Sequence, residues 1–294
     1  MDKLVDGWFS ESDCLWQGQK MSYQVDRVLY RDRSAFQDVL VFHHLRYGNV
    51  LALDDIVQCT EMDEFAYQEM MVHVPLLCYD PSSSGLQVLV IGGGDGGVVR
   101  EIVKHGHVAQ CTLCEIDSTV IDVSKRFFPL MAVGLKSEKL TIHIGDGFDF
   151  LKSHIEQFDV IITDCSDEKG PGEFLFNEPY FELVKNSLKP NGIHVTHDNG
   201  PMLEMSESFP RLRFSQNVFP SSQYYYISSP SYPSGELGFV ISGKSPNMKF
   251  DFPLKELSDN EVRSMKLRYY NSQVHKAAFV LPQFTKERLP TNKL

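Results

Sequence analysis

The sequence predicts an α/β fold in which a mostly parallel sheet follows a small N-terminal β unit. Two observations support this class. Between residues 87 and 167, short β-branched and apolar runs alternate with segments long enough for helices, which is typical of buried parallel strands. Before residue 60, strand-like runs are separated only by short turn-prone segments, which indicates a β-rich unit.

The N-terminal region supplies strand-like runs at 21–30, 36–44 and 49–55. The sequences RDRS at 31–34 and RYGN at 46–49 are predicted to be the turns between them. We therefore predict an N-terminal β-strand domain at residues 1–60 and a second, larger domain at residues 61–294.

A helix is predicted over 60–78, with Thr60 as N-cap and Asp63 in a weak capping-box position. Its apolar residues recur at helical spacing. They are Tyr67, Met70, Met71, Val74 and Leu77. The turn-rich segment at 79–85 then leads into alternating strand and helix signals, which are predicted to continue to the C-terminus.

Four predicted strands of the larger domain end in acidic residues or glycines. These stretches are QVLVIGGGDGG, CTLCEID, IGDGFDF and FDVIITDCSD. In open α/β sheets, ligands bind at the carboxyl ends of the strands. Five carboxylates are therefore expected to converge on one crevice suited to a cation. They are Asp95, Glu115, Asp146, Asp164 and Asp167.

The glycine run from Gly92 to Gly97 predicts a nucleoside site, because glycine lets the backbone approach a ligand closely. Glu115 lies about 20 residues on, where such folds place an acid that binds ribose hydroxyls. Asp95, inside the run, would repel a pyrophosphate but attract a nucleoside with a positive tail, such as an adenosyl-sulfonium compound. Asp95 also fits a helix cap, and both roles are compatible.

Five residues, in three parts of the sequence, are candidates for ligand contact. Asp146 and Gly147 are placed to reach an adenine edge, although an ordinary strand-end turn explains them equally well. Asp164 and Asp167 are placed to hold an ammonium group and remove its proton, since like-charge crowding raises a carboxylate pKa toward a useful value. Tyr232 lies in a Pro- and Gly-bounded turn and suits the wall of an apolar slot.

Composition limits the class of partner. The chain has 28 basic and 39 acidic residues, a net charge of −11, which argues against nucleic acid as a partner. No apolar run approaches the ~20 residues of a membrane-spanning helix. The N-terminus lacks a secretory layout, so we expect a cytoplasmic protein that binds no membrane.

The six cysteines are not expected to form a disulfide framework. Cys111 and Cys114 have the spacing of a metal or redox pair. However, they lie in a predicted strand, where an offset of three places side chains on opposite faces. We interpret them as small buried residues and expect no metal site.

The chain resembles the spermidine synthase family of polyamine aminopropyltransferases over nearly its whole length. The motifs are GWFSE, YGNVLALDD, QCTEMDEFAYQEM, IGGGDGGVVREIVKH, CEID, GDGF, YPSGELGF and YYNSQVHKAAFVLP. The resemblance implies a small N-terminal β-domain, a Rossmann-like domain of the methyltransferase type and a homodimer. It also implies transfer of an aminopropyl group from decarboxylated S-adenosylmethionine to putrescine, without a tightly bound cofactor.

The resemblance also implies roles for individual residues. The aminopropyl donor would contact Gln37, Gln68, Asp95, Glu115, Asp146 and Gly147. Putrescine would contact Tyr67, Asp164, Asp167 and Tyr232. Asp164 would be the base that frees the lone pair of the attacking amine.

The sequence departs from the family pattern in three places. Cys165 and Glu168 replace the first serine and the proline of the usual Asp-Ser-Ser-Asp-Pro. The segment 197–202, His-Asp-Asn-Gly-Pro-Met, stands where the family tends to show Gln-Gly-Glu and a tryptophan. Pro210 is expected to interrupt a helix. These changes should affect acceptor choice, turnover and local stability but not the donor site.

Three alternatives to a spermidine-forming enzyme stay open. A putrescine N-methyltransferase is disfavoured by Asp95, which should repel the carboxylate of a methyl donor. A spermine-forming enzyme would differ in acceptor length. A non-catalytic partner subunit is disfavoured by Tyr67, Asp164, Asp167 and Tyr232, although the altered segment 197–202 keeps it open.

Overall fold

The computed structural model describes residues 3–12, 14, 16, 18–80, 82–166, 172–203 and 209–290. Within these residues the predicted class is confirmed, because a small antiparallel β unit precedes a larger sheet flanked by helices. No described helix combines the length and the apolar character required to cross a bilayer.

The N-terminal unit contains a three-stranded sheet, in the order β1-β2-β3, and a four-stranded antiparallel meander, β4-β5-β6-β7. The strands are β1 Leu4–Val5, β2 Trp8–Ser10, β3 Ser22–Gln24, β4 Arg27–Arg33, β5 Asp38–His44, β6 Gly48–Leu53 and β7 Ile56–Thr60. The β-rich unit is confirmed, while its boundary at residue 60 stays a prediction.

Both turns predicted in this unit are shifted. Arg31 and Arg33 belong to β4, so the first turn lies at 34–37 rather than 31–34. β4 is an edge strand, where charged side chains are tolerated because the edge faces solvent. The second turn lies at 45–47, since Gly48 already pairs with His44.

Helix α1, Glu64–Leu77, begins four residues after its predicted start. Thr60 is the last residue of β7 and pairs with Val50, so strand pairing overrides the capping pattern. Asp63 takes the N-cap position, and its Oδ1 accepts a hydrogen bond from Thr60 Oγ1 at 2.6 Å. The predicted apolar face is buried against α2 and the large sheet.

The large sheet has, among the described residues, the strand order β10-β9-β8-β11-β12-β14-β13. Its strands are β8 Leu86–Gly92, β9 Val108–Glu115, β10 Leu140–Ile144, β11 Phe158–Asp164, β12 Leu188–Asn199, β13 Ser221–Ser228 and β14 Glu236–Gly243. The first five strands in this order, from β10 to β12, pair in parallel, as predicted. The pairs β12–β14 and β14–β13 are antiparallel.

Helices cover both faces of this sheet. They are α2 Gly97–Ile102, α3 Ser118–Phe127, α4 Gly147–Lys152, α5 Glu178–Ser187, α6 Pro210–Val218, α7 Asp259–Ser264, α8 Ser272–Ala278 and α9 Gln283–Arg288. The predicted alternation fails after β13, because a short 3₁₀ turn, Pro233–Gly235, connects β13 directly to β14. From β14 to residue 290 the only further elements are helices.

Pro210 does not interrupt a helix, contrary to the expectation from the sequence. It is the first residue of α6, where a proline costs little because its missing N–H would have no partner within the helix.

The two faces of the sheet support separate cores. Val88 and Val90 of β8 pack in the core beneath α1 and α2, whereas Leu89 and Ile91 pack on the opposite side. Cys111 and Cys114 follow the same alternation, one in each core. The prediction that these two cysteines lie on opposite faces is confirmed.

A buried carboxylate attaches α1 to the C-terminal region. Glu69 Oε1 accepts from the backbone N–H of Arg268, and Oε2 accepts from those of Tyr269 and Tyr270, at 2.7–2.8 Å. On the other flank, Tyr225 donates from its hydroxyl to the Met70 carbonyl at 3.1 Å. These bonds fix the turn of α1 that carries Tyr67 and Gln68.

Candidate active site

A cavity opens at the carboxyl ends of β8, β9, β10 and β11. The chain leaves β8 toward β9 on one side and reaches β11 on the other, which is the switch point where such sheets bind ligands. Four of the five predicted carboxylates line this cavity together: Asp95, Glu115, Asp146 and Asp164. The fifth, Asp167, lies outside the described residues.

The other predicted contact residues line the same cavity. They are Gln37, Tyr67, Gln68, Gly147 and Tyr232. The structure therefore brings together every described candidate, from the N-terminal unit, from α1 and from the sheet, while the role of each stays a prediction.

The glycine run allows the backbone to approach these side chains. Gly92 has φ +77°, and a Cβ there would collide with the Asp164 carbonyl. A Cβ at Gly94 would lie 2.8 Å from Glu115 Oε2. Glycine is thus required at these positions by the conformation and by the close contacts.

Asp95 makes two hydrogen bonds within the site. Its Oδ1 accepts from the Gly97 N–H at 2.7 Å, at the start of α2, and its Oδ2 accepts from Gln68 Nε2 at 3.1 Å. Burial raises the pKa of Asp95, while these bonds and the charge of Arg100 act in the opposite direction. The N-cap of α2 is Gly96 rather than Asp95 as expected, but Asp95 lies one residue earlier and still accepts from the first N–H of the helix.

Glu115 is held by backbone donors. Its Oε2 accepts from the Gly94 N–H at 3.0 Å and its Oε1 from the Asp117 N–H at 2.8 Å. Burial raises the pKa of Glu115 to about 7. Each oxygen keeps a second lone pair, so the carboxylate can still accept from ligand hydroxyl groups.

Gln37 reaches the cavity from the turn between β4 and β5. Its Nε2 donates to Asp117 Oδ2 at 3.0 Å, which leaves Oε1 as the acceptor that this amide can offer a ligand. Asp117 was not among the sequence candidates. It is visible there only as an acid that ends CEID just before a helical segment, a pattern typical of an N-cap.

Asp146 also has the structural role that an ordinary turn at a strand end would give it. It is the N-cap of α4, and its Oδ1 accepts from the N–H groups of Phe148 and Asp149. A Cβ at Gly147 would lie 2.5 Å from Ile91 Cγ2, so glycine is needed there for packing. Both residues line the cavity, and the adenine contact stays a prediction.

Asp164 has the most unusual environment in the site. Its Oδ1 accepts from the Tyr67 hydroxyl at 2.7 Å, whereas its buried Oδ2 has no hydrogen-bond partner among the described residues. Burial raises the pKa of Asp164 to about 8, the charge of Asp95 acts in the same direction, and the hydrogen bond from Tyr67 opposes the rise. A carboxylate of this kind can take a proton from a bound ligand near neutral pH.

Tyr232 is held in place by contacts that the sequence does not predict. Asp63 accepts from the Ser231 N–H at 2.7 Å and from the Ser231 hydroxyl at 3.0 Å. Tyr23 donates to the Ser231 carbonyl at 3.1 Å, and Trp16 packs edge-on against the Tyr232 ring. Ser231 lies 168 residues from Asp63, so no local pattern reveals this contact.

The altered segment 197–202 begins in an ordered strand. β12 pairs with β14 as far as Asn199. His197 lines the cavity, and burial together with the charge of Arg211 lowers its pKa to about 3, which makes it a neutral ring. Asp198 forms a buried ion pair with Arg211 at 3.1 Å. The effect on local stability expected for this part of the chain stays a prediction.

The charge of the cavity restricts its ligand. Six of the described residues lining it are acidic and none of them is Lys or Arg; the acids are Asp63, Glu64, Asp95, Glu115, Asp146 and Asp164. Among the described residues, no three His, Cys, Asp or Glu side chains form a group that could hold a metal ion. The arrangement suits an organic cation that also carries hydroxyl groups.

Comparison with known proteins gives consistent matches. Residues 64–252 match the family model described as a spermine/spermidine synthase domain. Residues 7–61 match the model described as a spermidine synthase tetramerisation domain.

Full-length relatives agree with these models. The chain is 46 % identical to a spermidine synthase of Dictyostelium discoideum, over 98 % of this chain and 99 % of that one. It is 44 % identical to a spermine synthase of Saccharomyces cerevisiae, over 95 % and 94 % of the two chains. A crystal structure of spermidine synthase with the transition state analogue AdoDATO has a TM-score of 0.86 and 32 % identity, covering 96 % of this chain and 94 % of that one.

The environment of Asp164 leads to a testable prediction about its titration. Tyr67→Phe removes the hydrogen bond that stabilises the charged form, so the pKa of Asp164 should rise. Asp95→Asn removes a neighbouring negative charge, so the pKa should fall. Carbon-13 NMR titration of labelled aspartate carboxyl groups would measure both changes.

Tyr226→Phe is the matched control for this titration, because Tyr226 packs in a separate cluster with Phe209 and Leu212. It should leave the Asp164 titration unchanged. Equal titration curves for Tyr67→Phe and wild type would contradict the assigned hydrogen bond.

Proposed function

This chain belongs to the spermine/spermidine synthase family and is an aminopropyltransferase, and we propose that it makes spermidine from putrescine and decarboxylated S-adenosylmethionine. The observation that carries this proposal is the buried Asp164 carboxylate, with Tyr67 on one oxygen and no described hydrogen-bond partner on the other. Such a group needs a proton or a cationic ligand at the free oxygen.

The proposed donor site lies along the glycine run. Glu115 and Gln37 would accept hydrogen bonds from the ribose hydroxyls, and Asp146 and Gly147 would border the adenine. Asp95, with Gln68, would face the aminopropyl tail. Decarboxylation leaves that tail with an ammonium group and no carboxylate, which suits a cavity lined by acids and lacking described basic residues.

The proposed acceptor site lies between Tyr67, Asp164 and Tyr232, and Asp167 is proposed to contribute from outside the described residues. The phenol rings would contact the hydrocarbon stem of putrescine, and Asp164 would hold the reacting ammonium. The neutral ring of His197 and the apolar residues Phe174 and Leu175 also line the cavity. We propose that they border the distal end of the acceptor.

The proposed reaction is a direct displacement. Asp164 takes one proton from the ammonium group, and the freed lone pair attacks the carbon beside the sulfonium. A new N–C bond forms while the C–S bond breaks, and the sulfur leaves as neutral methylthioadenosine. Because sulfonium is a good leaving group, positioning and proton removal would supply most of the catalysis. A carboxylate whose pKa is raised by burial is a stronger base than an ordinary aspartate.

Two alternatives can be weighed against this proposal. Asp95 argues against methyl transfer, since S-adenosylmethionine would bring its own carboxylate close to Asp95 in a cavity that is already acidic. A spermine-forming reaction has some support, because one relative of 44 % identity is a spermine synthase. We favour putrescine because the other relatives named above are spermidine synthases and because the residues at the reacting end are present.

We further propose a homo-oligomer in which residues 1–60 form a separate domain that contributes to assembly. The match of residues 7–61 to a tetramerisation model supports an oligomer of this kind. The homodimer and the cytoplasmic location expected from the sequence stay predictions.

The donor assignment predicts a preference that calorimetry can measure. Decarboxylated S-adenosylmethionine should bind at least about tenfold more tightly than S-adenosylmethionine, which corresponds to ~1.4 kcal/mol. Asp95→Asn should narrow this ratio, whereas Asp149→Asn, on the exposed side of α4, should not change it. Tighter binding of the carboxylated donor would instead support methyl transfer.

The base assignment predicts the effect of Asp164→Asn, which keeps the shape but cannot take the proton. Turnover at neutral pH should fall by ~10²–10⁴-fold, with donor affinity largely retained. Asp80→Asn, in an exposed turn, serves as the charge-matched control. If Asp164→Asn keeps more than about a tenth of wild-type turnover, which is well short of that range, another group is the base.

The acceptor assignment predicts the outcome of a panel assay with putrescine, cadaverine and spermidine. Putrescine should have the highest kcat/KM, with modest discrimination against cadaverine, because one methylene in an apolar slot is worth only ~1–3 kcal/mol. Mass spectrometry identifies the products. A clear preference for spermidine would make this a spermine-forming enzyme, and no turnover with any amine would support a non-catalytic subunit.

A further inference from the structure

One aspartate connects the N-terminal unit to the wall of the donor site. Asp117 Oδ2 accepts from Ser34 Oγ at 2.6 Å and from Gln37 Nε2 at 3.0 Å. Ser34 and Gln37 bound the turn between β4 and β5, about 80 residues earlier in the chain. Asp117 is only 2 % exposed and Gln37 only 5 %, so water does not compete for these bonds.

The other carboxylate oxygen and the backbone N–H of Asp117 form hydrogen bonds with residues near it in the chain. Its Oδ1 accepts from the Thr119 N–H at 3.0 Å and caps α3. Its backbone N–H donates to Glu115 Oε1 at 2.8 Å. A single residue therefore contacts both Gln37 and Glu115, the two side chains proposed to bind the ribose.

Ser34 shows why a carboxylate is needed at position 117. Its oxygen accepts from the N–H groups of Phe36 and Gln37 at 3.1 and 3.0 Å. A hydroxyl group has two lone pairs and one proton. That proton has two acceptors within reach, Asp117 Oδ2 at 2.6 Å and the Gln37 carbonyl at 3.2 Å, and the shorter bond to the carboxylate is the stronger one. The Ser34 hydroxyl thus holds the turn 34–37 in place by donating to the Asp117 carboxylate, which can only accept.

We propose that Asp117 is a positioning residue of the donor site, which holds the turn 34–37 against α3 so that Gln37 and Glu115 face the same ligand hydroxyls. This inference rests on the proposed function for the identity of the ligand. Asp117 itself lies behind these two side chains and is not among the residues that line the cavity.

Asp117→Asn tests this role, because asparagine has one acceptor oxygen where the carboxylate has two. If that oxygen stays on the Thr119 N–H, an amide donor faces Ser34 and Gln37, which require an acceptor. If the amide turns over, the helix cap is lost instead, so Ser34→Ala is made alongside to break the contact with the turn alone. Asp122→Asn is the matched control, because it makes the same change on the exposed side of the same helix.

The experiment measures binding of methylthioadenosine by calorimetry and steady-state kinetics with both substrates. Asp117→Asn should weaken the binding of methylthioadenosine and raise the donor KM, each by about tenfold or more. This is the loss expected when a buried charged hydrogen bond is broken. The kcat at saturating donor, and its pH profile set by Asp164, should stay close to wild type. Asp122→Asn should match wild type in every measurement.

A double-mutant cycle tests whether Asp117 acts through Gln37. In a Gln37→Ala background, Asp117→Asn should weaken donor binding by much less than it does in the wild type. Full additivity would overturn the inference, as would an unchanged donor KM and methylthioadenosine affinity. If Asp117→Asn does not fold, Ser34→Ala removes the 2.6 Å bond without touching the helix cap and should weaken donor binding in the same direction.

The design separates failure of this inference from failure of the proposed function. If the wild-type protein bound methylthioadenosine but transferred no aminopropyl group, the proposed reaction would be wrong while the Asp117 comparison remained decisive. If the wild type turned over normally and Asp117→Asn matched it, only the positioning role would be wrong.

Discussion

The contact between the ends of β8 and β11 determines the geometry of the whole site. Gly93 donates from its N–H to the Asp164 carbonyl at 2.6 Å, and no side chain would fit at Gly92. This approach places the loop that carries Asp95 beside the carboxylate of Asp164. The charge of Asp95 adds to burial in raising the pKa of Asp164, so the packing of the strand ends creates the electrostatic property that the chemistry needs.

The remaining walls depend on contacts between distant parts of the chain. The N-terminal unit reaches the proposed donor site through Gln37 and the proposed acceptor site through Tyr23, which supports the loop of Tyr232. Helix α1 is held from behind by Glu69 and the C-terminal segment. Thus neither proposed substrate site would be complete in the large sheet alone, and the contacts that support these sites are buried polar contacts that also hold the fold together.

The sequence predicts well what local pattern determines. The parallel strands are predictable because burial produces runs of apolar residues in the sequence, and the acids are predictable because they directly follow these runs. The predicted start of α1 is wrong because Thr60 pairs with Val50 in a strand, and the predicted helix break at Pro210 is wrong because Pro210 begins α6. The bonds of Asp63 to Ser231 and of Asp117 to Gln37 are not predictable, because these partners are far away in the chain.

The acidic cavity also explains why donor binding and proton transfer should depend on each other. In the ligand-free protein, the charge of Asp95 disfavours ionisation of Asp164. A cationic donor tail bound at Asp95 would neutralise that charge and lower the pKa of Asp164, so that the base loses its proton more readily once the donor is present. By thermodynamic reciprocity, an ionised Asp164 strengthens donor binding to the same extent. The two carboxylates are therefore one electrostatic unit, and a change at either should alter both binding and turnover.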